Sequence, residues 1–399
     1  MLDGSEPLQP EIATPKIATF APEIIDLILE ELVASIIKHT WDPSLVPILS
    51  SASLLSRAWT GPAQRRLMSE LVVTQHPHVQ RLLCDGFTES ELRLYVKKLS
   101  FPEFLDYDPV NDMNPCNDSL FDAMDDPTVA PFLNLLPHLP NISMLSISSF
   151  KSHYNVCRPR PLPIHLIPTS FYSLQNLRTL RVALDWQDAH EQNLVILHRL
   201  LSSAPNLTNF DFATELSTRS VLPPSKYPPI SLPQLRSLYV AERTTPTLIL
   251  SLLTPTTISN ITDLTWTYLG VKSRSSNLPL CKLVGPTLKR LTYNAPRGMR
   301  LRHLDRELGA LSVLEELTLW YDMPEIFEAL PSTLKILHLR DYTKAANLLV
   351  DPDHTPEDYP PGLHTITIYS EGSQATGSEK DKILVEDFCK KAGINLISE

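Results

Sequence analysis

Apolar residues recur along the chain in one register, Leu-x-x-Leu-x-Leu, with other apolar side chains substituting freely. The register reads Leu177/Leu180/Val182, Leu207/Phe210/Phe212, Leu235/Leu238/Val240, Ile261/Leu264/Trp266 and Leu288/Leu291/Tyr293. It continues through Leu314/Leu317/Leu319, Leu334/Leu337/Leu339 and Leu363/Ile366/Ile368, and reaches back to Val96/Leu99/Phe101 and Ile142/Leu145/Ile147. From Leu177 onward successive matches begin about twenty to thirty residues apart, the period of leucine-rich repeats. The last two apolar members of each match alternate with polar neighbours, so each match predicts one short strand with one face inward. Segments such as "AHEQNLVILHRLLSSAP", with Leu194, Leu197, Leu200 and Leu201 at helical spacing, predict the returns between strands. No single unit buries its apolar face alone, whereas stacked units form one continuous core. The predicted fold class is therefore α/β, an irregular leucine-rich-repeat solenoid with a curved parallel sheet, preceded by a small all-α module.

The residue after each strand, where a regular repeat carries Asn or Cys, is Asp185, Glu215, Arg243, Leu269, Pro296, Asp322, Tyr342 or Glu371. No asparagine ladder is expected there, and with 36 prolines against 11 glycines the turns are expected to be stiff and proline-shaped. Polar, proline-rich or acidic stretches near 102–127, 154–170 and 217–233 read as surface insertions. The segment 378–399, in which Ile383, Leu384, Phe388 and Gly393 outline a short helix before a last strand, reads as a C-terminal cap.

The N-terminal pattern is different. In "FAPEIIDLILEELV", Pro22 suits a first helical turn and Glu23 and Asp26 complement its dipole. Ile24, Leu27, Ile28 and Leu32 mark one face, widened by Ile25 and Leu29. A second group follows in "WDPSLVPILSSASLLSRAWTGPAQRRLMSELVV", where Asp42-Pro43 and Gly61-Pro62 are helix-start signals and Leu54, Leu55 and Trp59 are apolar. The expected organisation is a disordered tail over 1–18, a helical module over 19–73 and the repeat domain over 74–399.

"FAPEIIDLILEEL", "SLLSRAW" and "RRLMSELVV" together resemble an F-box, whose usual form is Leu-Pro-x-Glu-Ile, an apolar helix, a Ser-x-Val-x-(Arg/Lys)-x-Trp helix and a run into the first strand. Here Phe20-Ala21 stands where Leu-Pro is usual, and proline arrives one residue later. An F-box ahead of leucine-rich repeats is a common architecture, particularly among fungal proteins. The resemblance implies a non-catalytic substrate-recognition subunit of a Skp-cullin-F-box ubiquitin ligase. Its F-box would dock a Skp-type adaptor, and through it a cullin-RING ligase, while its repeats bind a protein substrate. By carry-over, Phe20, Pro22, Ile24, Ile28, Leu54, Leu55 and Trp59 are the adaptor-binding positions, some by direct contact and some by holding the helices together. The alternatives are that the N-terminal helix is ordinary packing, or that the chain is a repeat scaffold unconnected to a ubiquitin ligase.

Composition narrows partners and chemistry. A formal charge of -10 without a Lys/Arg cluster interleaved with aromatics argues against nucleic acid, and no uncharged apolar run is long enough to span a membrane. Five scattered cysteines without CxxC spacing fit reduced thiols in the cytoplasm or nucleus. His76 and His78 offer at most two imidazoles, and no GxSxG, HExxH or phosphate-loop motif occurs, so no enzyme, metal or cofactor is expected.

The substrate surface is expected on the concave face, at Ser146, Arg181, Asp211, Tyr239, Thr265, Thr292, Thr318, His338 and Thr367, the residues between the last two apolar positions. Trp320, Arg340 and Tyr369 lie just beyond. Arg181 and Tyr239 are candidates, and Trp320, His338, Arg340 and Tyr369 form an aromatic and basic group of the composition favoured at binding hot spots. The competing reading is a solvated groove. Trp266 falls at an inward position and is expected in the core.

Overall fold

The computed structural model describes residues 21–36, 45–55, 57–73, 82, 86–101, 135–147, 172–185, 197–215, 227–242, 246–267, 278–294, 304–319, 329–350, 359–369 and 378–398. The chain forms two compact units, 1–70 and 71–399.

The first unit contains α1 (Pro22–Ile36), α2 (Leu45–Leu55) and α3 (Arg57–Ser69). Its core is Ile25, Leu29, Leu49, Ala52 and Ala63, with Leu32, Ala58, Trp59 and Leu67 packed against them. Two ion pairs lace α3 to α1, Arg65 to Asp26 at 3.0 Å and Arg66 to Glu30 at 3.1 Å. Both pairs are solvent-accessible, so they set the register of the two helices more than they stabilise it.

The second unit is a parallel sheet whose twelve strands lie side by side in chain order. The strands are β1 (Glu70–Val72), β2 (Lys98–Phe101), β3 (Met144–Ile147), β4 (Thr179–Asp185), β5 (Asn209–Glu215) and β6 (Ser237–Glu242). There follow β7 (Asp263–Thr267), β8 (Arg290–Asn294), β9 (Glu316–Leu319), β10 (Ile336–Leu339), β11 (Thr365–Ile368) and β12 (Asn395–Ser398). All three apolar positions of all ten sequence matches are buried, Leu363 being among the most accessible at 7%. The aromatics Phe210, Phe212, Trp266 and Tyr293 occupy leucine positions, which is why a strict leucine pattern understates the repeat.

A backbone spine joins the repeats just before each strand. The Lys97 carbonyl accepts from the amides of Ser143 and Met144, and the Ser143 carbonyl from those of Arg178 and Thr179. The same double acceptance recurs at Arg178, Thr208, Arg236, Thr262, Lys289, Glu315 and Lys335. Every repeat therefore hands one carbonyl to its successor, and stacking satisfies backbone groups that a single repeat would leave open.

A side-chain ladder runs beside the spine, before each strand rather than after it. The residue preceding the first apolar position donates its amide to the previous repeat: Asn141 to the Leu94 carbonyl at 2.7 Å, Asn176 to Pro140 at 2.8 Å and Asn206 to Gln175 at 2.9 Å. Thr287 takes over the role, its hydroxyl reaching the Ser259 carbonyl at 2.7 Å. Replacing Asn176 or Asn206 by Ala is expected to lower stability by about 0.5–1 kcal/mol each, measured by chemical denaturation.

Where the returns between strands are described, they include short helices such as Pro246–Leu252, Leu278–Val284 and Tyr342–Leu349. Leu197, Leu200 and Leu201 face the core from one of them. The stretch 217–233, expected as insertion, ends inside the fold: Ile230 and Leu232 are buried, and Ile230 exchanges backbone hydrogen bonds with Leu252 and Thr254 at 2.8 and 2.9 Å. The expected insertions at 102–127 and 154–170 and the expected tail over 1–18 lie outside the described residues. At the C-terminus a helix over Glu379–Ala392 starts at a Ser378/Asp381 capping box and stops at Gly393, whose φ of 69 is left-handed. It leads into β12, which pairs with β11.

Gly285, after the helix Leu278–Val284, holds the closest backbone approach: a Cβ there would lie 2.0 Å from the Ala310 carbonyl oxygen and 2.9 Å from that of Cys281. Cys281 and Cys389 are free and buried. Burial pushes the Cys281 thiol up to about 12, with the Glu307 carboxylate adding to the rise, and burial takes Cys389 to about 11. Both remain protonated at pH 9, where ordinary thiols have become thiolates. Alkylation of the native chain at that pH is expected to leave Cys281 and Cys389 unlabelled until denaturant is added, as read by peptide mass mapping.

Candidate functional site

Two surfaces carry the residues singled out from the sequence. On the helical unit, α1 bears two adjacent apolar stripes. Ile25 and Leu29, four residues apart, are fully buried. Ile24, Leu27 and Ile28, which the sequence grouped with Leu32 on one face, stay 46%, 61% and 40% exposed, and Leu54 on α2 is 85% exposed. Leu32 turns the other way, onto the core. The unit thus closes its core with one stripe and leaves the other to solvent, an arrangement that marks partner surfaces. Trp59 belongs to the packing set. Phe20 and the side chains of Pro22 and Leu55 lie outside the described residues.

On the repeat unit, the strand register aligns outward residues in rows. One row is Ser146, Arg181, Asp211, Tyr239, Thr265, Thr292, Thr318, His338 and Thr367, each the Cα partner of the next. A second, two residues earlier on each strand, includes Ser237, Asp263, Arg290 and Glu316. Strands about 4.8 Å apart make these rows regular ladders.

Charges in the rows compensate one another. Arg181 pairs with Asp211 at 2.7 Å, across neighbouring strands. Burial pushes the Asp211 carboxyl up from its ordinary value, and the Arg181 charge and hydrogen bond only partly offset this. Asp263 hydrogen-bonds Arg290 and holds its guanidinium in the charged form. Arg290 also faces Glu316, which accepts from or pairs with His338 Nε2 at 3.1 Å. The His338 ring stacks on Tyr369, with centroids 5.6 Å apart, and its Nδ1 lies 3.2 Å from the Tyr369 hydroxyl.

The candidates therefore separate. His338, Tyr369 and Arg340 cluster on β10 and just after β10 and β11, joined by a Glu316–His338–Tyr369 chain that the sequence reading did not foresee. Arg181, on β4, is six strands from β10, about 29 Å at sheet spacing, so it belongs to no common patch with them. Tyr239 sits between, on β6. Thr367, though outward in register, is buried, and Trp320 lies outside the described residues. Among the described residues no group of three or more His, Cys, Asp and Glu could hold a metal, and no helix is long and apolar enough to cross a membrane. His76 and His78 lie outside the described residues.

Fold and surfaces define a parallel α/β solenoid of leucine-rich-repeat type with a separate three-helix unit before it. No protein-family model matches the chain, and no curated protein matches it. Among solved structures the chain is similar to the leucine-rich repeat-containing protein LegL7 from Legionella pneumophila, at 12% identity over 82% of this chain and 88% of that one, with a TM-score of 0.39. The repeat assignment itself rests on the ten motifs and their parallel register.

Proposed function

We propose that this chain is a non-catalytic substrate-recognition subunit of a Skp-cullin-F-box type ubiquitin ligase, its helical unit docking a Skp-type adaptor and its repeats holding a protein substrate. One observation carries the reading: α1 is apolar on two sides, and the side made by Ile24, Leu27 and Ile28, with Leu54 also exposed on α2, takes no part in the core that the described residues form. The "FAPEIIDLILEEL" and "SLLSRAW" segments that resemble an F-box are the segments that carry these side chains. If desolvated at a partner, Leu54, 85% exposed, contributes up to about 1.5–3 kcal/mol and the half-exposed Ile24, Leu27 and Ile28 about half as much each, before association costs. The sheet face supports the recognition half of the reading, since its register presents ordered polar rows.

The test is capture of a purified Skp-type adaptor by the purified full chain. Capture lost in the Ile24→Asp/Ile28→Asp variant supports the reading. Absence of capture by the unaltered chain, or equal capture by both, leaves the solenoid as an interaction scaffold outside the ubiquitin system.

A further inference from the structure

The residues of the backbone spine, which precede the strands, alternate in charge from repeat to repeat. In order they are Lys97, Ser143, Arg178, Thr208, Arg236, Thr262, Lys289, Glu315, Lys335 and His364, each after the first donating its amide to the carbonyl of the one before. Lys or Arg thus falls at every second repeat. The three hydroxyls between them fold back onto the chain: Ser143 donates to the Lys97 carbonyl at 3.1 Å, Thr208 to that of Arg178 at 3.0 Å and Thr262 to that of Arg236 at 3.4 Å. All five cations are exposed. Arg178 donates from one terminal nitrogen to the Asn206 carbonyl at 2.9 Å, and Arg236 likewise to those of Pro233 and Leu235, both at 2.9 Å. These bonds orient the guanidinium groups without neutralising them. Lys335 pairs with Glu315 at 3.3 Å, whereas Lys97, Arg178, Arg236 and Lys289 have no carboxylate partner among the described residues. The two residues preceding the first apolar position are uncharged in all ten motifs. On the strands just beyond, Asp263 is taken up by Arg290 and Glu316 by His338. The spine therefore carries five cations against one carboxylate, on a chain of formal charge -10.

We infer that this basic spine is a binding site for an acidic segment of a protein partner, laid along the starts of the strands with Arg178, Arg236 and Lys289 as its main contacts. The inference goes beyond the adaptor reading and does not depend on it. At short range the spine outweighs the negative charge of the chain as a whole. Its cations stand two strand spacings apart, about 9.6 Å, within one Debye length of about 10 Å at 0.1 M salt, so neighbouring cations act on a ligand together while more distant charges are screened. From Arg178 to Lys289 the row runs about 19 Å, a length covered by about six residues of extended chain. Nucleic acid is disfavoured because no Phe, Tyr or Trp stands on the spine for bases to stack on. A membrane surface is disfavoured because no apolar side chain stands there to enter it.

The experiment follows the fluorescence anisotropy of a labelled peptide of alternating Glu and Ser, long enough to span the row, titrated with the purified full chain. The expected result is saturable binding at about 0.05 M salt that is lost at about 0.5 M. Arg178→Gln/Arg236→Gln/Lys289→Gln is expected to weaken binding about tenfold, one such exposed contact contributing little and three together a measurable amount. Lys282→Gln/Lys390→Gln/Lys391→Gln removes the same charge from exposed positions on the helices Leu278–Val284 and Glu379–Ala392, and is expected to change binding less than about twofold. Both variants are expected to keep the unfolding transition of the unaltered chain. No binding at low salt, binding indifferent to salt, or equal loss in the two variants overturns the inference. Tighter binding of a thymidine oligonucleotide or of phosphatidylserine vesicles than of the peptide overturns the protein partner. Adaptor capture is measured separately, so none of these results bears on the adaptor reading.

Discussion

Ile24→Asp/Ile28→Asp is expected to abolish adaptor binding, by about a hundredfold or more, without moving the unfolding transition of the chain. Burying the exposed remainder of two isoleucines, under half of each side chain, amounts to about 1.3–2.6 kcal/mol, desolvating an aspartate in place of each costs more, and 1.4 kcal/mol is a factor of ten. The same two side chains are 46% and 40% exposed in the chain, so their exchange for Asp leaves the core of Ile25, Leu29, Leu49, Ala52 and Ala63 intact. Ile25→Asp, one residue along, buries an unpaired carboxylate and is expected to unfold the unit. The pair of variants separates docking from folding: titration with adaptor reads the first and thermal denaturation the second. Equal loss of stability in both would mean that Ile24 and Ile28 serve the core.

Gly285→Ala is expected to be the most damaging single-methyl addition to the solenoid. The new Cβ would sit 2.0 Å from the Ala310 carbonyl oxygen and 2.9 Å from that of Cys281, both backbone atoms that cannot step aside. One methyl group must therefore separate the turn after Leu278–Val284 from the next repeat, breaking the fit between neighbours on which a solenoid depends. The cost is about 3 kcal/mol or more, seen as a drop of about 5 °C or more in the unfolding transition. Gly309→Ala, whose added Cβ meets nothing within 4 Å beyond its chain neighbours and its own helix backbone, is the control and is expected to leave the transition unchanged or slightly raised. A Gly285→Ala transition within a degree of the unaltered chain would show that the neighbouring repeats yield freely.

The repeat unit was legible because its core is periodic. Each strand contributes apolar residues at fixed offsets, and aromatic substitutions such as Phe210 or Trp266 keep the offset even where they lose the leucine. The ladder of Asn141, Asn176 and Asn206 was missed although its signal is present, an Asn directly before the first apolar position of successive motifs. A regular repeat carries its asparagine after the strand, whereas here it stands before the first apolar position. In α1, periodicity identifies an apolar helix but not which stripe faces inward, because Ile24/Ile28 and Ile25/Leu29 share the same four-residue spacing. The choice is made by Leu49, Ala52 and Ala63 on α2 and α3, distant in sequence. On the sheet, outward positions follow from alternation, but their charge state follows from register. Arg181 looked available until the structure set it against Asp211, and His338 until it met Glu316 and Tyr369.

Calorimetric titration of the purified full chain with a purified Skp-type adaptor tests the central claim most directly. The expected result is saturable one-to-one binding with a negative heat-capacity change, the mark of an apolar face leaving water. No binding heat at any temperature, with the chain folded throughout, would contradict it.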